Sequence, residues 1–234
     1  MTKKNLDPLQ DLIGYHFKNE SLLETALTHR SCLNQPGVSE SYERLEFLGD
    51  AILEMLISIY LFEKYPDKME GYLTAARSAT VRTESLSEVS VHNRFNDYIR
   101  MSKGEEVTGG RQNLSILEDV IESLIGALYI DGGLDAAKNF FESFILPNAQ
   151  GIIALNRLKD PKSLLQEKVQ SAGQSSPIYQ TIGESGLDHN KTFEVAVSIE
   201  GKQLASGTGK NKQEAEQKAA QKALDALPAG RQVI

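Results

Sequence analysis

Two long apolar runs that carry carboxylates along one helical face constrain this chain more than any other feature of its sequence. In residues 43–62, thirteen of the eighteen positions from Leu45 to Phe62 are apolar, yet Glu43, Glu46 and Asp50 fall within a roughly 60° arc at about 100° per residue. Residues 115–129 repeat the pattern. There Ile116, Leu117, Val120, Ile121, Leu124, Ile125 and Leu128 surround Asp119 and Glu122, which share a face at spacing i, i+3.

A solvated face is the ordinary reading of an acidic stripe, but the apolar content here leaves little surface to solvate. Glu46, Asp50 and Glu54 interrupt the first run too often for a membrane span. Both runs are therefore expected as buried helices packed with their acidic stripes facing each other. An ionised carboxylate withdrawn from water costs several kcal/mol unless a positive charge accompanies it. Glu46, Asp50, Asp119 and Glu122 together call for a cation. Hard oxygen donors suit Mg²⁺, with Mn²⁺ as a substitute, and the four histidines and the single Cys32 offer no rival site for zinc. Such a cation polarises phosphoryl oxygens and lowers the pKa of bound water. Glu54 also falls on the first stripe and Glu118 adjoins the second pair. His29 and Ser31 lack a third partner for nucleophilic catalysis and are read as packing or capping groups.

The pattern changes near residue 148. Residues 1–148 show helical periodicity nearly throughout and predict an all-α domain; 149–159, following Pro147, reads as a linker; 160–229 predicts a small α+β domain of order α-β-β-β-α. Its helices are expected near 161–170 and 211–227 and its strands near 178–184 and 192–199, with Gly201 and Lys202 turning into the third. The net charge of −7 is unusual for a nucleic-acid binder, but it is confined to the first part. From Asp160 to Ile234 nine basic residues balance nine acidic ones, while the remainder holds 16 basic and 23 acidic. One cysteine excludes an internal disulfide framework, and Lys3 and Lys4 are followed by no apolar run of a signal peptide. A cytoplasmic location is expected.

The motif Glu43-Arg-Leu-Glu-Phe-Leu-Gly-Asp-Ala-Ile-Leu53 resembles the signature of the ribonuclease III family, endonucleases of double-stranded RNA. Further blocks fit the bacterial enzyme in order: Ile13-Gly-Tyr-His-Phe17, Ala26-Leu-Thr-His-Arg-Ser31, Lys103-Gly-Glu-Glu106, Gly109-Gly-Arg111 and Ser115-Ile-Leu-Glu-Asp-Val-Ile-Glu122. The resemblance implies metal ligation by Glu46, Asp119, Glu122 and Asp50, catalysis by Asp50 with Glu122, support from Glu43, and a further acidic residue at Glu70; Glu54 and Glu118 match no acidic position of the family and are read as ordinary charges. It implies hydrolysis to 5′-phosphate and 3′-hydroxyl ends, a homodimer cutting both strands, and processing of ribosomal precursor, messenger and other structured RNAs. Gly110 and Arg111 are expected on a loop near the substrate, with Arg111 as a phosphate contact; a simple surface turn is the alternative.

The second part resembles the double-stranded RNA-binding domain. The matching residues are Gln166, Glu167 and Gln170 on its first helix, His189 in Gly186-Leu-Asp-His189, and Lys210 with Lys212 before Ala215-Glu-Gln-Lys-Ala-Ala220. Polar groups on a helix reach 2′-hydroxyls in a shallow minor groove, and lysines at a helix amino end meet phosphate where the dipole favours it. Two positions depart from the family: Leu187 stands where proline is usual, and Gln213 replaces a lysine of the phosphate-binding pair. A regulator that only binds RNA would lack the acids present here. A hydrolase of small phosphate esters would leave the second domain without a purpose.

Overall fold

The computed structural model describes residues 5–33, 35–155, 161–185 and 191–227. The chain forms two compact units, Met1–Leu158 and Lys159–Ile234. The first is helical: α1 Asp7–Ile13, α2 Glu20–Ala26, α3 Glu43–Lys64, α4 Glu70–Val81, α5 Thr83–His92, α6 Lys103–Val107, α7 Leu114–Phe140 and α8 Leu146–Ala154, with short 3₁₀ turns between several of them.

Helix α7 is the axis of this unit. Val120, Ile121, Leu124, Ile125, Ala127 and Leu128 are all fully buried, so little of its circumference is left to water. Such a helix is stable only when neighbours cover it on every side. Helix α3 contributes Leu53, Ile57 and Leu61 to the same core. Asn113 caps α7, its side chain accepting from the Ser115 amide at 3.1 Å. At Gly133 the backbone turns left-handed, φ 77°, which breaks the helix before Leu134. Just ahead of that break Asp131 fastens the first helices to α7, accepting from Tyr15 Oη and the Lys18 amide at 2.8 Å and from the Asn19 amide at 3.0 Å.

A π-helical turn, Phe141–Ile145, leads into α8. Much of α8 lies in the stretch expected to be a linker, and that expectation is corrected here: Ala149, Ile152 and Ile153 are buried in the helical unit. Pro147 starts this helix instead of ending the domain, because a proline in the first turn lacks only an amide that has no helical partner there anyway.

The second unit has the order α9 Pro161–Ser171, β1 Ile178–Ser185, β2 Thr192–Ile199, β3 Lys202–Gly209, α10 Lys212–Ala226. Its three strands form one antiparallel sheet in the order β1-β2-β3. Glu200 and Gly201, both left-handed at φ 50° and 80°, make the tight β2–β3 turn. Both helices pack through Leu165, Val169, Ala219, Ala220 and Ala223 onto Val197 and Ile199. The alanines matter because a Cβ on Gly207 would stand 2.3 Å from the Ala219 amide nitrogen, so β3 and α10 lie in backbone contact.

Candidate active site and RNA-binding residues

The acid-bearing helices cross where neither has a side chain. A Cβ on Gly49 would lie 1.7 Å from the Glu122 carbonyl oxygen, and one on Gly126 would lie 2.2 Å from that of Leu45. Glycine at both positions lets the backbones touch. Since Glu46 and Asp50 flank Gly49 while Asp119 and Glu122 precede Gly126 on α7, this crossing brings the two acidic stripes together.

Their charges act on one another. Burial and then the fields of Asp50, Glu118, Glu46 and Asp119 push the Glu122 carboxyl up to about 8. Burial and then Asp119, Glu43, Glu118 and Asp50 raise Glu46 to about 7. Asp119 is raised mainly by burial, against the pull of its Tyr42 hydrogen bond, and exposed Asp50 is raised by partial burial and Glu54. His29 and Arg30 pull the Asp119 carboxyl down, but not enough to offset its burial. Among the described residues, no three His, Cys, Asp or Glu side chains stand close enough to hold an ion between them as they are. The donor set itself, all carboxylate oxygen on rigid helices, fits a hard dication.

A cleft of about 370 Å³ opens beside the crossing, lined by Glu43, Glu46, Asp119, Tyr42, His29 and Arg30 among others. Glu43 is exposed at its rim, 3.5 Å from Arg30 Nη1 and accepting from Ser41 Oγ at 2.9 Å. Buried His29 caps a 3₁₀ turn through Nδ1, which accepts from the Ser31 amide at 3.3 Å; Ser31 Oγ lies 2.8 Å from the same nitrogen and accepts from the Ser102 amide at 3.0 Å. Burial lowers the His29 pKa, in keeping with that acceptor role.

Two expected residues lie elsewhere. Glu70 opens α4 and accepts from Thr74 Oγ1 at 2.9 Å, beside Ser58 and Phe62 on a separate groove. Those two lie two and more than three turns beyond Asp50, roughly 12 and 18 Å along α3 at about 1.5 Å per residue. Within one chain, then, Glu70 does not join the four acids. Arg111 is likewise not the free phosphate contact expected of it: its Nε donates to Glu106 at 2.6 Å, and its Nη1 donates to the carbonyls of Asn96 and Ile99 at 3.0 Å. It ties three short segments together. Conversely, the sequence reading passed over two residues that touch the cluster. Tyr42 Oη donates to Asp119 Oδ2 at 2.9 Å, and Glu118 raises Glu122 more than Glu46 does. The i, i+4 spacing of Glu118 and Glu122 was a usable signal for the second; nothing local marks the first.

In the second unit Gln166, Glu167 and Gln170 are exposed on α9, and Gln170 Nε2 donates to Ser176 Oγ at 3.2 Å. Lys210 and Lys212 are exposed at the start of α10. Asn211 caps that helix by accepting from the Glu214 amide at 2.8 Å, while Glu214 accepts in return from the Lys210 amide at 2.8 Å. The Lys212 ammonium lies 5.8 Å from the centre of the Phe193 ring. His189 and Leu187 lie outside the described residues.

Residues 19–149 match the family model described as Ribonuclease-III-like, and residues 161–227 match the double-stranded RNA binding motif. Ribonuclease 3 of Streptococcus gordonii is 45% identical over 225 residues, 95% of this chain and 97% of its own. That of Listeria monocytogenes is 44% identical over 224 residues, 94% and 97% of the two chains. The solved nuclease domain of ribonuclease III from Campylobacter jejuni superposes with a TM-score of 0.58 at 38% identity, covering 62% of this chain and 98% of that one. With similarity along nearly its whole length and the same helical fold around its crossed acidic helices, this chain belongs to the ribonuclease III family of endoribonucleases.

Proposed function

We propose that the protein is a Mg²⁺-dependent endonuclease that hydrolyses phosphodiester bonds in double-stranded RNA, leaving 5′-phosphate and 3′-hydroxyl ends. The observation that carries this reading is the α3–α7 crossing, which holds four carboxylates in one another's fields and raises two of them to about 7 and about 8. A cluster held at such electrostatic cost, its Glu46 and Glu122 raised despite Arg30 at the rim, suits a ligand that carries positive charge.

Glu46, Asp119 and Glu122 would hold the metal, joined by Asp50; Mn²⁺ would serve in its place. When bound, the ion stabilises charge on the phosphoryl oxygens and activates water. Asp50, exposed beside the other three, is placed to move a proton at the water or the leaving oxygen. Glu43 at the cleft rim restrains Arg30 and adds to the field. Water is assigned as the nucleophile, with no covalent protein intermediate.

In the second unit Gln166, Glu167 and Gln170 face the minor groove, and Lys210 and Lys212 take phosphates at the start of α10, a mode that reads shape over sequence. Ribosomal precursors, messenger RNA and other structured RNAs are the expected substrates, met in the cytoplasm. Among the described residues no helix is long and apolar enough to cross a membrane.

The active form would be a homodimer. Phe47 and Phe62 on α3 are 81% and 73% exposed, and Phe62 lines a groove of about 660 Å³ with Ile59, Leu73, Arg77 and Glu70. A projecting aromatic and a recess on one helix suit a two-fold interface. Phe47 adjoins Glu46, so its entry into the opposite groove would carry the partner's Glu70 toward this chain's acids and give Glu70 a role no single chain provides. The Campylobacter jejuni nuclease domain is itself described as having a region involved in dimer formation.

Long duplex RNA incubated with Mg²⁺ or with chelator, then run on a denaturing gel, tests the proposal. Short products are expected only from the unaltered protein with metal, while Glu122→Ala binds without cutting. Uncut RNA under every condition would refute it.

A further inference from the structure

Tyr42 belongs to neither acidic stripe, yet it is bonded to both helices. It immediately precedes α3 and is 2% exposed. Its amide donates to the Thr28 carbonyl at 2.9 Å, and its own carbonyl accepts from the amides of Leu45 at 2.8 Å and Glu46 at 2.9 Å. Its ring leans on His29 with centroids 5.8 Å apart. At the far end of that ring Oη donates to Asp119 Oδ2 at 2.9 Å, across 77 positions of chain. A stiff side chain, held at its backbone by the turn that bears Glu46, thus reaches a carboxylate on the other helix.

We propose that Tyr42 is a positioning residue for the metal site, acting through Asp119. A carboxylate on a single-bonded stem turns freely unless something holds one of its oxygens. The phenol occupies Oδ2 and leaves Oδ1 for a cation, and because the Tyr42 carbonyl also accepts from the Glu46 amide, Asp119 is fixed in register with Glu46. Partners that orient metal-ligating carboxylates change metal affinity by about 10–100-fold when removed. The hydroxyl does not touch the reacting atoms, so its contribution lies in metal capture and not in the chemical step. This rests on the reading of Asp119 as a metal ligand.

The alternative is that the hydroxyl only helps to fasten α3 to α7, and two substitutions separate the cases. Tyr42→Phe removes the hydroxyl and keeps the ring; Tyr42→Leu removes both. The intact protein and each variant are titrated with Mn²⁺ by calorimetry, without RNA and well below their melting temperatures, which are measured alongside. Tyr42→Phe is expected to weaken Mn²⁺ binding by about tenfold, the equivalent of about 1.4 kcal/mol, while melting close to the parent. Tyr42→Leu melts lower but binds Mn²⁺ about as weakly as Tyr42→Phe. In cleavage assays the Mg²⁺ concentration for half-maximal rate rises by a similar factor, and the rate at saturating Mg²⁺ stays within about threefold of the parent. Mn²⁺ affinity unchanged in Tyr42→Phe, or a loss that follows melting temperature across the two variants, overturns the inference alone. A parent protein with no saturable Mn²⁺ binding overturns the proposed metal site and this inference with it.

Discussion

In the first unit α3 and α7 approach until Gly49 and Gly126 leave no room for a side chain; in the second, Gly207 and Gly209 of β3 do the same against α10. The two contacts are alike in packing and opposite in their treatment of charge. Around α10 two carboxylates meet cations: Glu214 is held below its ordinary range by Lys218 and the Lys210 amide, and Glu216 meets Lys162 Nζ at 2.5 Å. Around the α3–α7 crossing Glu46 and Glu122 are raised by their acidic neighbours, and the opposing pull of Tyr42, His29 and Arg30 falls on Asp119. Close packing by itself therefore says nothing about chemistry. What separates the catalytic region from the RNA-binding one is the charge left uncompensated after packing is complete.

The comparison breaks most visibly at Glu122. Replacing it with Ala should lower cleavage by roughly a thousandfold or more, the scale of several kcal/mol of lost transition-state stabilisation. RNA affinity measured by gel shift should stay near that of the parent. Loss of binding instead would mean that the two units do not divide the labour.

Next in size are the glycines. Gly49→Ala drives a methyl into the Glu122 carbonyl and should destabilise the first unit by about 3 kcal/mol, with metal binding lost as the helices part. Gly207→Ala should do comparable damage to the second unit and weaken RNA binding, while leaving Mn²⁺ binding intact. Calorimetric melting and Mn²⁺ titration of both variants would sharpen the contrast, since equal effects on metal binding would erase it.

A third difference is in pH dependence. Glu46 and Glu122 bind protons more tightly folded than unfolded, so in chelator the folded state holds the extra protons and stability falls as pH rises from about 4.5 toward about 8. For Glu122 the loss should be on the order of 2–4 kcal/mol. Glu122→Gln should flatten the slope and melt higher than the parent at pH 8, and saturating Mg²⁺ should reverse the slope by favouring the ionised carboxylates. Glu214 has the opposite sign: its depressed folded pKa gives stability above its ordinary value of 4.5, which is lost on acidification. A melting series in chelator and in Mg²⁺ would check both signs.

The smallest expected effect is at Gln213. Restoring lysine there should steepen the dependence of log affinity on log salt by nearly one unit, while Lys212→Ala should reduce it by about as much. Binding isotherms on duplex RNA over a range of salt read both changes.

Much of this was legible in the chain. The apolar runs around Asp50 and Glu122 required buried helices, and the strand alternation from Thr192 to Ile199 required a half-buried sheet; both are set by local period. Contacts between distant segments were not legible. Nothing near Tyr42 announces a partner on α7, and nothing near Arg111 announces the carbonyls of Asn96 and Ile99 that it meets. Pro147 was ambiguous in a different way, since a proline that ends one helix and a proline that begins the next look the same in sequence. Glu118 was dismissed as an ordinary charge because its neighbour matched a motif and it did not, although helical spacing placed it one turn from Glu122.

Diffraction from a crystal soaked in Mn²⁺, collected where manganese scatters anomalously, tests the central claim most directly. The account predicts a strong anomalous peak between α3 and α7, within coordination distance of Glu46, Asp119 and Glu122 and next to Asp50. A crossing free of manganese in a crystal that takes up the ion elsewhere, with the four carboxylates still apart, would contradict it.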